Sequence, residues 1–362
     1  ELARDRIYAG CHWLAIPGRE YTLNDVVKID LARVFEVAFW EMMADAPEEA
    51  SIAELGDRFT AHLRHGVHVI GDSLEFHLTH MPDVFPELVL DLFCYGPVEK
   101  GLDASDGMRR GLEYYNMCCD GSSLATAADS FAALEQRVED EAHLSWGEIA
   151  GHLKADWAGS EGERARLMMR NIPRFGSGNA PADDWATRIS ETFTQIVRKE
   201  SRSRSFTMLP GLFSWASQAD FGRLLGPTPN GRHAGDPASH GPNPEPGFNR
   251  GKGGTPTQMV VAVANVQPGF GNTAPLQLDM DPNLGRDEGG LEKVEALLRG
   301  YFDMGGTLVN INVLNKDKIL DAHKDPSKYP NLIVRVTGFS AYFANLSEEL
   351  RQLVVDRVVS GA

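Results

Sequence analysis

Few residues in this chain have the type and spacing to do chemistry. Cys11 follows Gly10 and precedes His12 and Trp13. The other cysteines are Cys94 and the adjacent pair Cys118 and Cys119, and no two follow a CxxC or CxxH spacing, so a zinc site is not expected. A bridge between the adjacent pair would be strained, and reduced thiols fit better. Taken alone, Cys11 reads as a small buried hydrophobe. His12 is either an acid/base near neutral pH or a hydrogen-bonded core histidine. Trp13 is either the aromatic wall of a cavity or packing. Gly338 sits between a strand-like run, Leu332–Val336, and an aromatic turn, Phe339–Phe343; on position alone it is a turn glycine. His62, His65, His68, His77 and His80 lack any HExxH-like signature and read as a solvated or packed helix face. Gly251-Lys-Gly-Gly254 lacks the P-loop form, so phosphate cradling is not expected.

The elements that must position these residues follow from periodicity. Helical spacing predicts a helix over 22–45 capped by Asn24, and a second over 51–78 ending before Pro82. Further helices fit 124–138, 145–157 (opening on a capping box, Ser145 to Glu148) and 183–202. Residues 226–256 hold 8 Gly and 7 Pro in 31 positions, which excludes regular helix or central strand and predicts a loop packed against the fold. Strand-like runs at 258–266, 275–280, 307–314 and 332–336 then alternate with helices at 291–302 and 316–322, and a closing helix, 347–359, is capped by Ser347. That alternation is α/β.

The flanks of Gly338 change its reading. Arg335-Val-Thr-Gly-Phe-Ser-Ala-Tyr-Phe343 closely resembles the glycyl radical motif, RV-[ST]-G-[YF]-x-A-x-F, of the pyruvate formate-lyase-like enzymes. Gly305–Asn315, Pro229–Pro237, Tyr114-Tyr-Asn, Ala125–Ser130 and Gly10-Cys11 followed by Pro17–Tyr21 are also similar to the family, in order, over essentially the whole chain. The resemblance implies that Gly338 stores a backbone radical, installed post-translationally with no bound cofactor or metal, and that Cys11 relays it as a thiyl. A Cα radical delocalises onto the flanking amides only in a flat geometry that a Cβ would strain, so glycine suits the store. Relay by a thiol is nearly balanced because its S–H bond is close in strength to the glycyl C–H bond.

The family's eliminases carry Gly-Cys-x-Glu, with the Glu as base. Trp13 stands at that position, which argues against dehydratase or C–heteroatom lysis. His12 stands where the keto-acid lyases have a second cysteine. The expected chemistry is C–C cleavage or decarboxylation-type lyase chemistry on a small organic substrate. The alternatives are addition of a hydrocarbon to fumarate, a dehydratase, or a non-catalytic radical-domain partner, the last opposed by the presence of Cys11. The implied fold is α/β: the C-terminal half of a β/α barrel, ten-stranded in the family, with a helix-rich Cys-loop region over 1–225 and a C-terminal region with the glycyl radical domain over 226–362. The sequence opens as if inside a longer protein. A second chain supplying the N-terminal half, a radical-SAM activating enzyme and a homo-oligomer are the expected partners.

Lys+Arg 35 against Asp+Glu 51 gives a net charge of −16. With no basic run, nucleic acid and anionic membranes are poor partners. The longest apolar stretch, Met259–Val266, is strand-sized, so no spanning segment is expected, and a cytoplasmic protein is.

Overall fold

The computed structural model describes residues 2–9, 13–23, 27–213, 217–248, 256–269, 272–284 and 288–360. A short antiparallel hairpin comes first: β1 (Ile7–Ala9) pairs with β2 (Trp13–Ala15), Ala9 opposite Trp13. The chain then builds a parallel sheet around β5 (Tyr114–Ser122). On one side of β5 lie β3 (Glu20–Leu23) and β4 (Lys28–Asp30); on the other lies β6 (Thr207–Gly211). The parallel pair β7 (Leu276–Met280) and β8 (Val309–Val313) follows, joined to the end of β6 where Leu212 N donates to Thr273 O at 3.0 Å.

Helices cover one face of this curved sheet. They are α1 (Leu31–Asp45), α2 (Ile52–Val84), α3 (Leu124–Leu134), α4 (Trp146–Lys154), α5 (Pro181–Ser201), α6 (Pro256–Asn265) and α7 (Gly290–Asp303). Strand alternation explains the layering. Tyr115, Met117 and Cys119 on β5 join the main apolar core under the helices, where Phe131 stacks on Trp185 at 4.4 Å and meets Phe35 edge-on at 4.8 Å. Asn116 and Asp120, one residue out of phase, face the other way. Parallel strands with helices outside and a polar inner face are the partial barrel that the sequence implied. The chain closes with α8 (Lys316–Lys324), the hairpin β9 (Ile333–Arg335) and β10 (Ser340–Tyr342), and α9 (Glu348–Ser360). Their apolar cluster is drawn from residues 314–359 alone.

Several expectations are corrected. The first helix does not begin at Thr22. Residues 20–23 and 28–30 are strands, and α1 starts at Leu31 on an Asp30 cap, Oδ1 accepting from Ala32 N and Arg33 N; the expected cap, Asn24, lies outside the described residues. Pro82 does not end α2, which runs to Val84. Residues 258–266 form helix α6, not a strand, and β5 itself was not anticipated. The Ser145–Glu148 capping box is present. The Gly/Pro-rich loop is packed where described: Thr228, Asn230, Arg232, Ser239, His240 and Asn243 are buried.

Candidate functional site

Gly338 is buried at the tip of the β9–β10 hairpin. Ser340 pairs with Arg335, and Val336 N donates to Phe339 O at 3.0 Å, leaving Thr337-Gly338 as a two-residue turn. Such turns ordinarily call for a left-handed residue, yet Gly338 is not among the described glycines with positive φ. Backbone strain is therefore not what requires glycine here. Phe343, fully buried, and the half-buried Phe339 pack into the C-terminal cluster beside the turn. The Thr337 hydroxyl is buried without a hydrogen-bond partner among the described residues. A buried backbone Cα with no Cβ and apolar, aromatic neighbours fits the residue expected to hold a carbon radical.

The sheet's polar inner face supplies the frame around this turn. In β7, Leu-Gln-Leu-Asp-Met, Leu276 packs against α6 and α7, and Gln277 and Asp279 point inward; Val-Asn-Ile-Asn-Val in β8 does the same with Asn310 and Asn312. Asn310 Nδ2 donates to Thr337 O at 3.2 Å. Asn312 grips Arg335 twice, accepting from its N at 2.7 Å and donating to its O at 2.9 Å, while also donating to Asp279 at 2.8 Å. From α9, the Arg357 guanidinium donates to Val336 O at 2.7 Å and Arg335 O at 2.8 Å and pairs with Asp279 at 2.7 Å. Arg335 Nη2 donates to Gly338 O at 2.9 Å. Sequence reading missed Asp279, Asn310, Asn312 and Arg357. Polar residues at period two inside the otherwise apolar strands mark Asp279, Asn310 and Asn312 as facing a polar side, but nothing local in the sequence pairs Asp279 with Arg357 on α9.

A cavity of about 410 Å³ lies beside this frame, bounded by Gln277, Asp279, Arg357, His240 and Glu245. Burial, reinforced by the charge of Arg357, pushes the His240 imidazole down to about 3, so it is neutral. Behind it, Arg174 clamps the Gly/Pro-rich loop to α3, pairing with Asp129 at 2.8 Å and Glu245 at 2.6 Å. Burial pushes the Asp129 carboxyl up to about 6.

The segment that carries Cys11 is described in its flanks. Gly10, Cys11 and His12 lie outside the described residues; the arms on either side of them form the β1–β2 hairpin. Trp13 opens β2, half-buried. The exit from the hairpin is tied to the sheet through Glu20, which accepts from Ile16 N at 2.8 Å and from Asn116 Nδ2 on β5 at 2.7 Å. Cys118 and Cys119 are buried within β5 and form no disulfide; burial pushes the Cys119 thiol up, which makes it unreactive. The histidines of α2 are dispersed: His62 pairs with Glu41, His68 with Glu200, and His77 meets Tyr21 Oη. Among the described residues no group of three His, Cys, Asp or Glu is placed to hold a metal, and no helix is long and apolar enough to cross a membrane.

A family model for pyruvate formate lyase-like proteins matches residues 1–222, and one for the glycine radical domain matches residues 239–344. The chain belongs to the glycyl radical enzyme family. It is 29% identical over 283 residues to the trans-4-hydroxy-L-proline dehydratase of Clostridioides difficile, covering 77% of this chain and 34% of the relative. It is 31% identical over 254 residues to the formate acetyltransferase of Haemophilus influenzae, covering 67% of this chain and 32% of the relative. The solved B12-independent glycerol dehydratase from Clostridium butyricum superposes on 99% of the chain with a TM-score of 0.87 at 27% identity, over 46% of its own length. The chain thus spans less than half the length of these glycyl radical enzymes.

Proposed function

We propose that this chain is the catalytic portion of a glycyl radical enzyme that performs C–C cleavage or decarboxylation-type lyase chemistry on a small organic substrate. Gly338 is the store and Cys11 the relay. A hydrogen atom passes from the Cys11 thiol to the Gly338 Cα, the sulfur then takes a hydrogen atom from substrate, and the order reverses after turnover. His12 and Trp13 border the substrate, His12 as the proton-handling group. The observation that carries this reading is the buried two-residue turn at Gly338, whose glycine is not demanded by backbone strain and whose carbonyls are fixed on three sides.

Two relatives are named as a dehydratase and an isethionate sulfite-lyase, which favours C–heteroatom lysis as the second reading; Trp13 in place of the family's Glu weighs against it. The store and relay divide between residues 226–362 and 1–225. A radical-SAM enzyme activates Gly338: S-adenosylmethionine and one electron yield methionine and a deoxyadenosyl radical, which takes one hydrogen from the glycine. The remaining part of the barrel, from a second chain or further sequence, covers exposed apolar residues such as Val84 at the end of α2, Phe85, Leu88 and Phe93 beyond it, and Val313 on β8. Among the described residues β3 and β8 each have one strand partner, so both offer an open edge. A homo-oligomer in the cytoplasm completes the proposal.

The test is activation of the complete enzyme with a cognate radical-SAM enzyme, S-adenosylmethionine and reductant, followed by EPR. A glycine-centred doublet is expected in wild type and in Cys11→Ser, and none in Gly338→Ala. Cys11→Ser should lose turnover by roughly 10⁴-fold or more, as removal of a group that enters the reaction does. Air should cut the activated chain at Gly338 in both radical-bearing forms. A doublet surviving in Gly338→Ala refutes the assignment.

A further inference from the structure

The bonds around the Gly338 turn fall into two classes. One class lies within residues 314–359: Arg357 to the carbonyls of Arg335 and Val336, and Arg335 to the carbonyl of Gly338. The other crosses to the rest of the chain: Arg357 to Asp279, Asn312 to both backbone groups of Arg335, Asn310 to Thr337 O, and Arg223 to Glu349. Arg357 takes part in both classes through one guanidinium, to the two carbonyls within the unit and to Asp279 outside it. The unit has its own apolar cluster, so the crossing bonds named here are polar and their groups return to water if the unit moves. The Asp279–Arg357 pair also lines the cavity, giving water a route to both partners.

We propose that Arg357 is a positioning residue with two separable tasks. Through the two carbonyls it staples the Gly338 hairpin to α9, so that hairpin and helix travel as one piece. Through Asp279 it latches that piece to the sheet and sets how readily Gly338 is presented to an activating enzyme. This rests on the reading of Gly338 as the radical store. A guanidinium suits the dual task because Nε, Nη1 and Nη2 each reach a different acceptor, whereas an ammonium gathers its three donors on one nitrogen.

The experiment compares wild type, Asp279→Asn, Arg357→Gln and the double variant in the complete enzyme. Hydrogen exchange of peptides covering 333–343 is measured before activation, and the initial rate of EPR doublet formation with limiting activating enzyme afterwards. Asp279→Asn, which keeps the shape and an acceptor for Asn312, should speed exchange over 333–343 by about 5–30-fold, a range typical of coupling between contacting groups. It should leave β5 peptides unchanged and raise the rate of radical formation. Arg357→Gln should speed exchange further and lower the final radical yield, because the staple is lost too. The double variant should exchange no faster than Arg357→Gln. Unchanged exchange in Asp279→Asn, equal acceleration in β5, or additive effects in the double variant would each overturn the latch. If exchange responds as expected but no glycine doublet forms even in wild type, the latch stands and the radical reading fails.

Discussion

The β9–β10 hairpin sits within its own apolar cluster and yields its backbone carbonyls to Asn310, Asn312, Arg335 and Arg357, whereas β1 of the other hairpin leaves Ile7 and Tyr8 51% and 63% exposed. The exit from β2 is tied down through one carboxylate, Glu20, and through Arg19 to Glu113. The difference fits the division of roles proposed above for Gly338 and Cys11. A stored radical has to be held still and away from oxygen for many turnovers, so its turn is over-determined by bonds that lie inside the chain. A relay has to meet substrate, and its hairpin presents apolar surface outward, where the chain's own residues do not cover it.

The contrast is broken most severely from the store side. Phe343 is fully buried in the C-terminal cluster together with Val334, Val336, Val354 and Val358. Truncation to Ala leaves a cavity that costs about 3–5 kcal/mol. Because that cluster is drawn from residues 314–359 alone, Phe343→Ala should loosen this unit and leave the main core intact. Limited proteolysis and hydrogen exchange should show early opening over 333–359 with β5 still protected. Loss of protection in both regions together would mean that the two cores fold as one.

An intermediate effect is expected from pH. The folded-state value of His240 is depressed from 6.5 to about 3 by burial and then by Arg357, so below pH 6.5 the unfolded chain binds a proton that the folded chain refuses. Stability from this residue is complete above about 6.5, falls as pH drops, and is fully lost near 3. The loss by pH 5 is about 2 kcal/mol from the shift alone. Denaturant unfolding of wild type and His240→Gln across pH 5–7 checks it: the variant should have the shallower slope. Parallel slopes would place the titration elsewhere.

Local signals in the sequence were read correctly where a local rule governs. The Ser145–Glu148 box, Ser347 before the closing helix and the Gly/Pro-dense loop all depend on neighbours a few residues away. Errors arose where a distant partner decides. Lys28–Asp30 has apolar spacing compatible with helix but pairs with Asp120–Ser122, about 90 positions on. Helix α6 reads as a continuous apolar run because it is buried on two sides, Val260 and Val263 against Leu276 and Tyr301, Ala262 against the main core. Pro82 is tolerated near the end of α2, where Phe85 N still bonds Met81 O. At the proposed site, the flanking motif points to Gly338; Asp279 and Arg357 were not legible, because 78 positions separate an ion pair that exists only once α9 docks on the sheet.

The smallest effect tests the relay side. One Glu20 oxygen accepts from Ile16 N and the other from Asn116 Nδ2. In Glu20→Gln the amide oxygen can keep the bond from Ile16 N, but its NH₂ then faces the NH₂ of Asn116. Turning the Asn116 amide over presents its oxygen and restores the second bond. What is lost is the charge on the acceptor, which separates bonds worth about 1.5–3 kcal/mol from neutral ones near 1. The expected cost is therefore about 1 kcal/mol, concentrated at the hairpin exit. Exchange of the amides over 13–16 should quicken about fivefold in Glu20→Gln, while 333–343 is unaffected. Glu20→Ala should quicken it further, because both donors then lack an acceptor. Equal exchange in all three proteins would remove Glu20 as the tie between the relay hairpin and β5. A change at 333–343 would mean that the two hairpins are coupled through the sheet rather than anchored independently.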